Sequence, residues 1–190
     1  MTKRYRYVLI GNSAGGIAAA RAIRKSDHGG SLLMLSDEPY EAYSRPLTAK
    51  HISEGKSIDR MSLVPPGFYA AHDIDLRRNT TVISLDVENH TIELHDGQTV
   101  SYEHLLLATG STPIVPPIEG SRRELVFTFT TFDDAAAIAG ALDSVERTVV
   151  VGGGFIGLSA ADALTKRGTQ VTIVEMQPHE VVCSIMQPHL

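Results

Sequence analysis

The chain opens with an apolar run, a glycine cluster, a segment of helical period and a second apolar run. Residues 5–10, YRYVLI, lead directly into Gly11–Gly16, and a segment rich in alanine and isoleucine continues to about Lys25. Two glycines end that segment, and the apolar residues Leu32–Leu35 follow. This order of patterns predicts a strand, a turn, a helix and a second strand.

The same order returns near the other end of the chain. Three valines, Val149–Val151, meet a glycine cluster, and an apolar segment of helical period then extends to Gly168. A second run typical of a strand, Val171–Val174, completes the pattern. We therefore predict two strand-turn-helix-strand units, which are typical of the α/β class with a parallel sheet.

The chain between the two units has other patterns. Residues 39–67 are rich in prolines and loops, around one helix predicted near Thr48–Ser53. Residues 81–101 alternate apolar and polar side chains around a strong turn at Asp96-Gly97, which predicts a small antiparallel meander. The apolar residues Leu105–Ala108 predict a buried strand.

A proline-containing linker, Ser111–Gly120, gives the predicted domain boundary. We assign residues 1–112 to the first domain and residues 113–190 to the second. Between the linker and the second glycine cluster, the pattern predicts a strand at Leu125–Phe129 and a helix at Asp133–Leu142.

The second glycine cluster has the spacing of a dinucleotide-binding turn. Gly152, Gly154 and Gly157 stand at G-x-G-x-x-G, which allows a tight turn, a close approach of the backbone to a pyrophosphate, and packing of helix on strand. The helix N-terminus then faces the phosphates. Glu175 closes the second strand, where a carboxylate can accept hydrogen bonds from an adenosine ribose. The alternative is a glycine-rich turn that binds no ligand.

The first glycine cluster matches the same spacing with one substitution. Gly11 and Gly16 occupy the outer positions, and Ser13 replaces the middle glycine, so its side chain must point away from a pyrophosphate or hydrogen-bond to it. Asp37 and Glu38 follow the second strand at the distance where a ribose-binding acid is expected. We select Asp37 for that role. Glu38 is a second candidate, and the alternative is that it is a solvated loop residue.

Composition excludes several classes of partner. The 190 residues are 43% apolar and 21% charged, which is enough for one sizeable core or two small ones. A net charge of -5 without a basic run argues against nucleic acid or an anionic membrane surface as the main partner. No uninterrupted apolar run approaches the roughly 20 residues that cross a bilayer. The eight histidines show no spacing of a metal site.

The chain has a single cysteine, Cys183, which cannot form an internal disulfide. No export signal is evident, because Gly11 and Asn12 interrupt the first apolar run early. A reducing cytoplasm is therefore the predicted compartment.

Two nucleotide fingerprints, separated by a meander and by the A-T-G turn Ala108-Thr109-Gly110, resemble the pyridine nucleotide-disulfide oxidoreductase superfamily of two-dinucleotide flavoproteins. The resemblance covers essentially the whole chain and depends on the order of these parts. It implies that the first fingerprint binds FAD, that the A-T-G turn joins the FAD domain to the NAD domain, and that the second fingerprint binds NAD(P)H. The implied fold is α/β, with two Rossmann-like domains, both incomplete at the C-terminus, and a small antiparallel meander.

One segment indicates which members of the superfamily the chain resembles. Tyr43–Lys50, YSRPLTAK, is similar to NADH-dependent ferredoxin and rubredoxin reductases and to the flavin part of NADH-dependent nitrite reductases. The resemblance implies that Arg45 and Pro46 line the FAD, that Lys50 lies near the flavin N5 edge, and that Val82 offers its backbone to the adenine. A cation at that edge would stabilise the negative charge of reduced flavin. In the alternative, Arg45 and Lys50 are ordinary surface cations.

The predicted site has one catalytic residue, Lys50, and no metal ligand. The predicted cofactor-binding residues are Gly11, Ser13, Ala14, Gly15, Gly16, Asp37, Glu38, Arg45, Pro46, Lys50, Val82, Ala108, Thr109, Gly110, Gly152, Gly154, Phe155, Ile156, Gly157 and Glu175. Most of the chemistry belongs to the cofactors, and the protein supplies orientation and electrostatics.

The thiol-dependent relatives keep a reactive cysteine beside the flavin, and here Tyr43 and Ser44 stand near that place. Cys183 lies in the nicotinamide half of the chain. Electrons are therefore expected to leave the flavin without a thiol relay. The expected acceptor is a separate redox protein such as rubredoxin or ferredoxin, a haem or iron-sulfur centre such as that of a nitrite reductase, a quinone, or oxygen.

The residues around Glu175 indicate which nicotinamide donor is used. A carboxylate favours a free ribose diol, and Met176–His179 contain no arginine for a 2′-phosphate, so NADH is preferred to NADPH. Ser159 stands where many relatives carry a glutamate near the flavin-side lysine. The partner expected for Lys50 is therefore Glu41, Glu54 or water, unless it remains unpaired.

Together these features predict an FAD-dependent oxidoreductase that accepts hydride from NADH and passes electrons to a separate acceptor. The alternatives are a non-catalytic nucleotide-binding or assembly fragment and an NADH oxidase that uses oxygen. We expect the chain to be an N-terminal fragment, because the family continues the NAD domain beyond its second strand and then completes the FAD domain. A homodimer is expected for the full-length parent.

Overall fold

The computed structural model of the chain describes residues 3–177. Contacts divide the chain into two compact units. The first unit contains Met1–Ser44 and Ser62–Ser111, and the second contains Arg45–Met61 and Thr112–Leu190. The segment that carries the YSRPLTAK similarity therefore divides after Ser44, and its helical part belongs with the second unit.

The chain forms eight strands and five helices within the described residues. The strands are β1 Lys3–Ile10, β2 Leu32–Leu35, β3 Ile74–Arg77, β4 Val82–Asp86, β5 Thr91–Leu94, β6 Thr99–Leu107, β7 Arg147–Val151 and β8 Gln170–Val174. The helices are α1 Ala14–Ser26, α2 Ala49–Glu54, α3 Phe68–Ala71, α4 Phe132–Ala141 and α5 Phe155–Lys166, with short 3-10 turns at Arg45–Leu47, Ile58–Met61 and Leu142–Ser144. Among these described helices, none is long and apolar enough to cross a membrane.

The first unit is built on one six-stranded sheet in the order β3-β2-β1-β6-β5-β4. Strand β1 pairs in parallel with β2 and β6, and β2 pairs in parallel with β3. Strands β4, β5 and the beginning of β6 pair antiparallel. The nine-residue β6 therefore belongs both to the parallel sheet and to the meander.

The core of the first unit lies on both faces of β2. Leu32 and Met34 belong to one buried cluster, with side chains of α1 and α3, whereas Leu33 and Leu35 belong to the other, with side chains of the meander. Neighbouring residues of a strand point to opposite faces, so this strand is apolar throughout. Because β1 also contributes to both clusters, the carboxyl ends of β1 and β2 are firmly placed beside the first glycine turn.

The second unit pairs β7 and β8 in parallel, with α5 between them in the chain. Helices α2, α4 and α5 bury a shared apolar cluster. Its buried members are Ala49, Ile52, Ala135, Leu142, Ala163 and Leu164. The sequence predicts an FAD-binding domain at residues 1–112 and an NAD(H)-binding domain at residues 113–190. This assignment of domains stays a prediction.

The predicted α/β class with an antiparallel meander is confirmed, and three details differ. Strand β3 and the short helix α3 were not predicted. The strand predicted at Leu105–Ala108 is the last part of the longer β6, which ends at Leu107. The strand predicted at Leu125–Phe129 is wrong, because Leu125 has a φ of 63° and cannot continue an extended run. The side chains of Val126 and Phe127 are instead exposed.

Candidate functional site

The first glycine turn joins β1 to α1. Gly11 has a φ of 117°, and a Cβ on Gly16 would lie 2.0 Å from the carbonyl oxygen of Gly11. Both positions therefore require glycine. Ser13 has an extended backbone with a φ of -132°, so a serine is accommodated at the middle position without strain.

The second glycine turn, between β7 and α5, repeats this geometry. Gly152 has a φ of 109°, and a Cβ on Gly157 would lie 2.0 Å from the carbonyl oxygen of Gly152. Gly154 has a φ of -76° and open space at its Cβ position. The middle glycine is therefore required neither by the backbone nor by packing within the described residues, and the space beside it is open to a ligand.

Both helices that follow these turns have uncapped N-termini. Neither Ser13 nor Gly154 provides a side-chain cap, and neither helix has an acidic residue in its first turn. The first intrahelical hydrogen bonds run from the Ile17 N–H to the carbonyl oxygen of Ser13 and from the Leu158 N–H to the carbonyl oxygen of Gly154. The N–H groups of the first helical residues are thus left to point at a ligand.

Helix α4 provides an internal contrast. Thr131 and Asp134 form a capping box, in which the Thr131 hydroxyl accepts the Asp134 N–H at 3.0 Å and the Asp134 carboxylate accepts the Thr131 N–H at 2.9 Å. Its N-terminus is therefore satisfied by its own side chains and by two acids in the first turn. Only the helices after the glycine turns, among the three described helices of ten residues or more, leave that end open.

The A-T-G turn lies beside the first glycine turn. The Ala108 N–H donates to the carbonyl oxygen of Ile10 at 2.8 Å, and a Cβ on Gly11 would lie 2.1 Å from the carbonyl oxygen of Ala108. Thr109 and Gly110 follow and are exposed. The structure therefore brings two of the predicted cofactor-binding segments together at the carboxyl ends of β1 and β6.

Glu175 reaches back to the second glycine turn. Its Oε2 accepts the Gly153 N–H at 2.7 Å, and its Oε1 accepts the Gln177 N–H at 2.9 Å. These backbone donors, Gln177 first, hold the pKa of the Glu175 carboxyl below its usual range. The carboxylate therefore remains charged and held at the end of β8, where its further lone pairs can accept ribose hydroxyls.

In the first unit the corresponding place is occupied by a serine. In each turn, the N–H of the first glycine donates to the carbonyl oxygen of the last residue of the neighbouring strand. The Gly11 N–H donates to Leu35 at 2.9 Å, and the Gly152 N–H donates to Val174 at 2.8 Å. Ser36 therefore corresponds to Glu175. The acid Asp37 stands one residue later.

The two acids after β2 differ in their surroundings. Asp37 is exposed and makes no hydrogen bond or ion pair within residues 3–177. Glu38 is half-buried, and its Oε2 accepts the Tyr43 hydroxyl at 2.5 Å. This contrast favours Asp37 over Glu38 for ribose binding, and the choice stays a prediction.

Sequence reasoning missed a polar network that holds the first turn. The Tyr69 hydroxyl donates to Oδ1 of Asn12 at 2.8 Å and accepts the Ala42 N–H at 3.0 Å. The Asn12 amide nitrogen donates to the carbonyl oxygen of Tyr40 at 3.3 Å. Burial raises the pKa of the Tyr69 hydroxyl, which stays protonated and can donate. The one available signal was an amide side chain inside a glycine cluster.

The residues of the YSRPLTAK segment lie in the second unit from Arg45 onward. Nη1 of Arg45 donates to the carbonyl oxygen of Thr130 at 3.0 Å, and Pro46 is exposed. Lys50 is exposed on α2, and its ammonium makes no hydrogen bond or ion pair within the described part of the chain. Neither Glu41 nor Glu54 is its partner there.

The remaining predicted residues are placed as follows. Val82 is the first residue of β4, half-buried and opposite Leu94. Ser159 lies in the second turn of α5. No group of three histidine, cysteine or acidic residues within 3–177 is placed to hold a metal ion. Cys183 and the part of Met176–His179 after Gln177 lie outside the described residues.

A profile of the pyridine nucleotide-disulphide oxidoreductase family matches residues 5–189. The chain belongs to this family.

Individual relatives agree with that assignment. The chain is 36% identical over 172 residues to the NADH-dependent phenylglyoxylate dehydrogenase subunit epsilon of Aromatoleum evansii, covering 90% of this chain and 41% of that protein. It is 32% identical over 169 residues to rhodocoxin reductase of Rhodococcus erythropolis, covering 88% of this chain and 40% of that protein. A crystal structure of a ferredoxin reductase from Rhodopseudomonas palustris is similar with a TM-score of 0.86 and 26% identity, covering 93% of this chain and 44% of that one. The chain thus spans less than half the length of each.

Proposed function

We propose that this chain carries nucleotide-binding parts of an FAD-dependent oxidoreductase, which accepts hydride from NADH and passes electrons to a separate redox acceptor. The observation that carries the proposal is the pair of matched glycine turns, each opening onto an uncapped helix N-terminus without acidic residues. The self-capped α4 indicates that this openness is a property of the two turns and not of helices in this chain generally.

The first turn fits the pyrophosphate of FAD. The N–H groups of Ala14, Gly15 and Gly16 form the open end of α1, and the network of Asn12 and Tyr69 holds the turn in place. Asp37 would accept hydrogen bonds from the adenosine ribose. Ala108, Thr109 and Gly110 would line the same cofactor at the neighbouring strand end, and the Val82 backbone would meet the adenine.

The second turn fits the pyrophosphate of NADH. Phe155, Ile156 and Gly157 provide the open N–H groups of α5, and Glu175 would bind the ribose diol. A charged carboxylate at that position repels a 2′-phosphate, which supports a preference for NADH over NADPH. The name of the Aromatoleum relative, which is NADH-dependent, agrees with this preference.

Bound FAD would accept one hydride, and with it two electrons, from NADH and release these electrons singly. The proposed part of Lys50 in this reaction is electrostatic, because an ammonium without a carboxylate partner favours negative charge on a nearby group. Arg45 and Pro46 would line the cofactor. Within the described residues there is no cysteine that could serve as a thiol relay.

The proposed acceptor is a small redox protein. The names of a rhodocoxin reductase and a ferredoxin reductase among the similar proteins support a ferredoxin-type or rubredoxin-type partner. A nitrite reductase centre is the other proposed acceptor. We further propose that the protein works in the cytoplasm and that it forms a homodimer.

Spectroscopy of the purified protein tests the proposal. We expect yellow protein whose flavin absorbance bleaches when NADH is added without oxygen and returns when an oxidised ferredoxin or rubredoxin is added. Colourless protein that takes up no FAD would identify a non-catalytic module. Rapid return of the colour with oxygen alone, at the same rate with and without the redox proteins, would identify an oxidase.

A further inference from the structure

Helix α2 is held at both ends by arginine side chains of its own unit. Before the helix, Nη1 of Arg45 donates to the carbonyl oxygen of Thr130 at 3.0 Å. At its last turn, the carbonyl oxygen of Ile52 accepts Nη1 of Arg167 at 3.2 Å. Carbonyl groups at a helix C-terminus lack intrahelical partners, and a guanidinium satisfies them and complements the helix dipole.

Apolar packing holds the face of α2 between these two contacts. Ile52 is fully buried in the cluster that also contains Ala135 of α4 and Leu164 of α5. The His51 ring lies 4.7 Å from the ring of Phe132, centroid to centroid. Lys50, the second residue of α2, is exposed. The anchored face thus leaves Lys50 on the open side of α2.

Helix α5 connects this anchor to the second glycine turn. It begins at Phe155, immediately after Gly154, and Arg167 follows its last residue, Lys166. A helix of 12 residues spans about 18 Å and is stiff over that length. Through α5, the backbone of the nucleotide turn and the guanidinium that holds α2 belong to one rigid element.

We propose that Arg167 is a positioning residue for Lys50. It fixes the last turn of α2 against α5, and thereby sets where the Lys50 ammonium stands. The inference rests on the proposed function, in which Lys50 stabilises reduced flavin, and it adds that the position of this cation is set by helix α5 of its own unit. Loss of the Arg167 contact would free the carbonyl end of α2 while leaving Lys50 itself intact.

The ion pair of Arg167 does not account for such a role. Nη2 of Arg167 lies 3.5 Å from Oδ1 of Asp143, whose side chain is 90% exposed. A pair in that environment contributes little. The variant Asp143→Asn therefore separates this pair from the contact with the Ile52 carbonyl.

The test is a redox titration of the FAD-loaded protein. Lys50→Met should lower the midpoint potential of the flavin, and Arg167→Gln should lower it by a smaller amount. In the Lys50→Met background, Arg167→Gln should produce no further shift, because Arg167 acts through Lys50. Asp143→Asn and Arg147→Gln, the latter on an exposed arginine of β7, should leave the potential unchanged and serve as controls.

Three results would overturn the inference. If Lys50→Met leaves the potential unchanged, the proposed part of Lys50 fails and the inference fails with it. If Lys50→Met shifts the potential but Arg167→Gln does not, only the inference fails. A shift from Arg167→Gln that persists in the Lys50→Met background would mean that its charge acts directly on the flavin.

Hydrogen exchange provides a readout that does not depend on FAD. Arg167→Gln should increase the exchange of the α2 amides near Ile52 at least tenfold, whereas Asp143→Asn should leave them unchanged. Equal protection of α2 in the wild type and Arg167→Gln would contradict the anchoring step itself. Exchange in β7 and β8, which belong to the same unit as α2, reports whether a variant has lost the fold of that unit as a whole.

Discussion

The backbone N–H of Gly153 donates a 2.7 Å hydrogen bond to the Oε2 atom of Glu175. The acid predicted to bind ribose is therefore also the side chain that ties the glycine turn to the end of β8. The Gln177 N–H, and then this Gly153 contact, lower the pKa of the Glu175 carboxyl, so the carboxylate is charged at neutral pH.

Replacing this carboxylate should weaken NADH binding. We expect Glu175→Gln to raise the Kd for NADH about tenfold, which corresponds to about 1.4 kcal/mol, because a charged acceptor is replaced by a neutral one. The measurement is a fluorescence titration with NADH. Glu146→Gln, on an exposed acid of the same unit, is the control. An unchanged Kd in Glu175→Gln would remove this residue from the site.

Alanine variants of two glycines in the second turn should distinguish a loss of stability from a loss of NADH binding. In Gly157→Ala the new methyl group would lie 2.0 Å from the backbone oxygen of Gly152, so we expect a loss of stability on the order of 2 kcal/mol together with loss of NADH binding. In Gly154→Ala nothing lies within 4 Å of the new methyl group. This second variant should keep the wild-type melting temperature and still bind NADH poorly, because the pyrophosphate approaches the backbone there.

Calorimetry and NADH titration of both variants check this prediction. Wild-type affinity in Gly154→Ala would mean that the turn does not meet a pyrophosphate. Wild-type stability in Gly157→Ala would contradict the close packing of α5 on β7.

Arg24 should be important for the stability of the first unit. It is buried, and its guanidinium donates to backbone carbonyl oxygens at 2.6 to 3.1 Å. The acceptors are the carbonyls of Asp27, Gly30, His72 and Asp73. Arg24→Met leaves these carbonyls without their donor, and we expect a loss of about 3 kcal/mol in the free energy of unfolding.

Denaturant titration measures that loss, with Lys25→Met as the matched control on the same helix. Lys25 is exposed and should be replaceable within about 0.5 kcal/mol. Equal unfolding midpoints for the two variants would show that the Arg24 contacts do not stabilise this unit.

The capping box of α4 should make stability depend on pH. Burial acts to raise the pKa of Asp134, but the hydrogen bonds from Thr131 and Thr130 outweigh it and the pKa is lowered. A carboxyl group with a lowered pKa in the folded state stabilises the protein above its unfolded pKa of about 3.9, and this contribution is lost as the pH falls through the folded value.

We therefore expect Asp134→Asn to cost about 1 kcal/mol at pH 7 and progressively less below about pH 4. Urea unfolding of both proteins across this range provides the measurement, with Glu124→Gln, an exposed acid outside α4, as the control. A difference between wild type and Asp134→Asn that stays constant down to pH 3 would contradict the assignment.

The unpredicted β3 shows where local pattern was insufficient. Its four residues, IDLR, have too little apolar character to predict a strand alone. They form one because β2 has a free edge beside them, and Asp75 and Arg77 are then held by Tyr5 of β1. The opposite error occurred at Leu125–Phe129, where the positive φ of Leu125 interrupts an apolar run that was predicted to be extended.

The sequence by itself determined the two turns, because each depends on residues that are close in the chain. Glycine is required where φ is positive at Gly11 and Gly152 and where Gly16 and Gly157 meet backbone oxygen, and the flanking apolar runs decide the strands on either side. The strand β2 and the bounds of α1 were predictable for the same reason.

Only the tertiary structure decided where α2 and its lysine belong. Arg167 and Ile52 are separated by 115 positions, and no local pattern indicates that the guanidinium of one satisfies the carbonyl of the other. Likewise, the hydrogen bond between β2 and the first turn, and not the spacing of acids, placed Ser36 at the position that corresponds to Glu175. Glycine conformations are local and can be read along the chain, whereas burial and hydrogen-bond partners depend on contacts made only after the chain has folded.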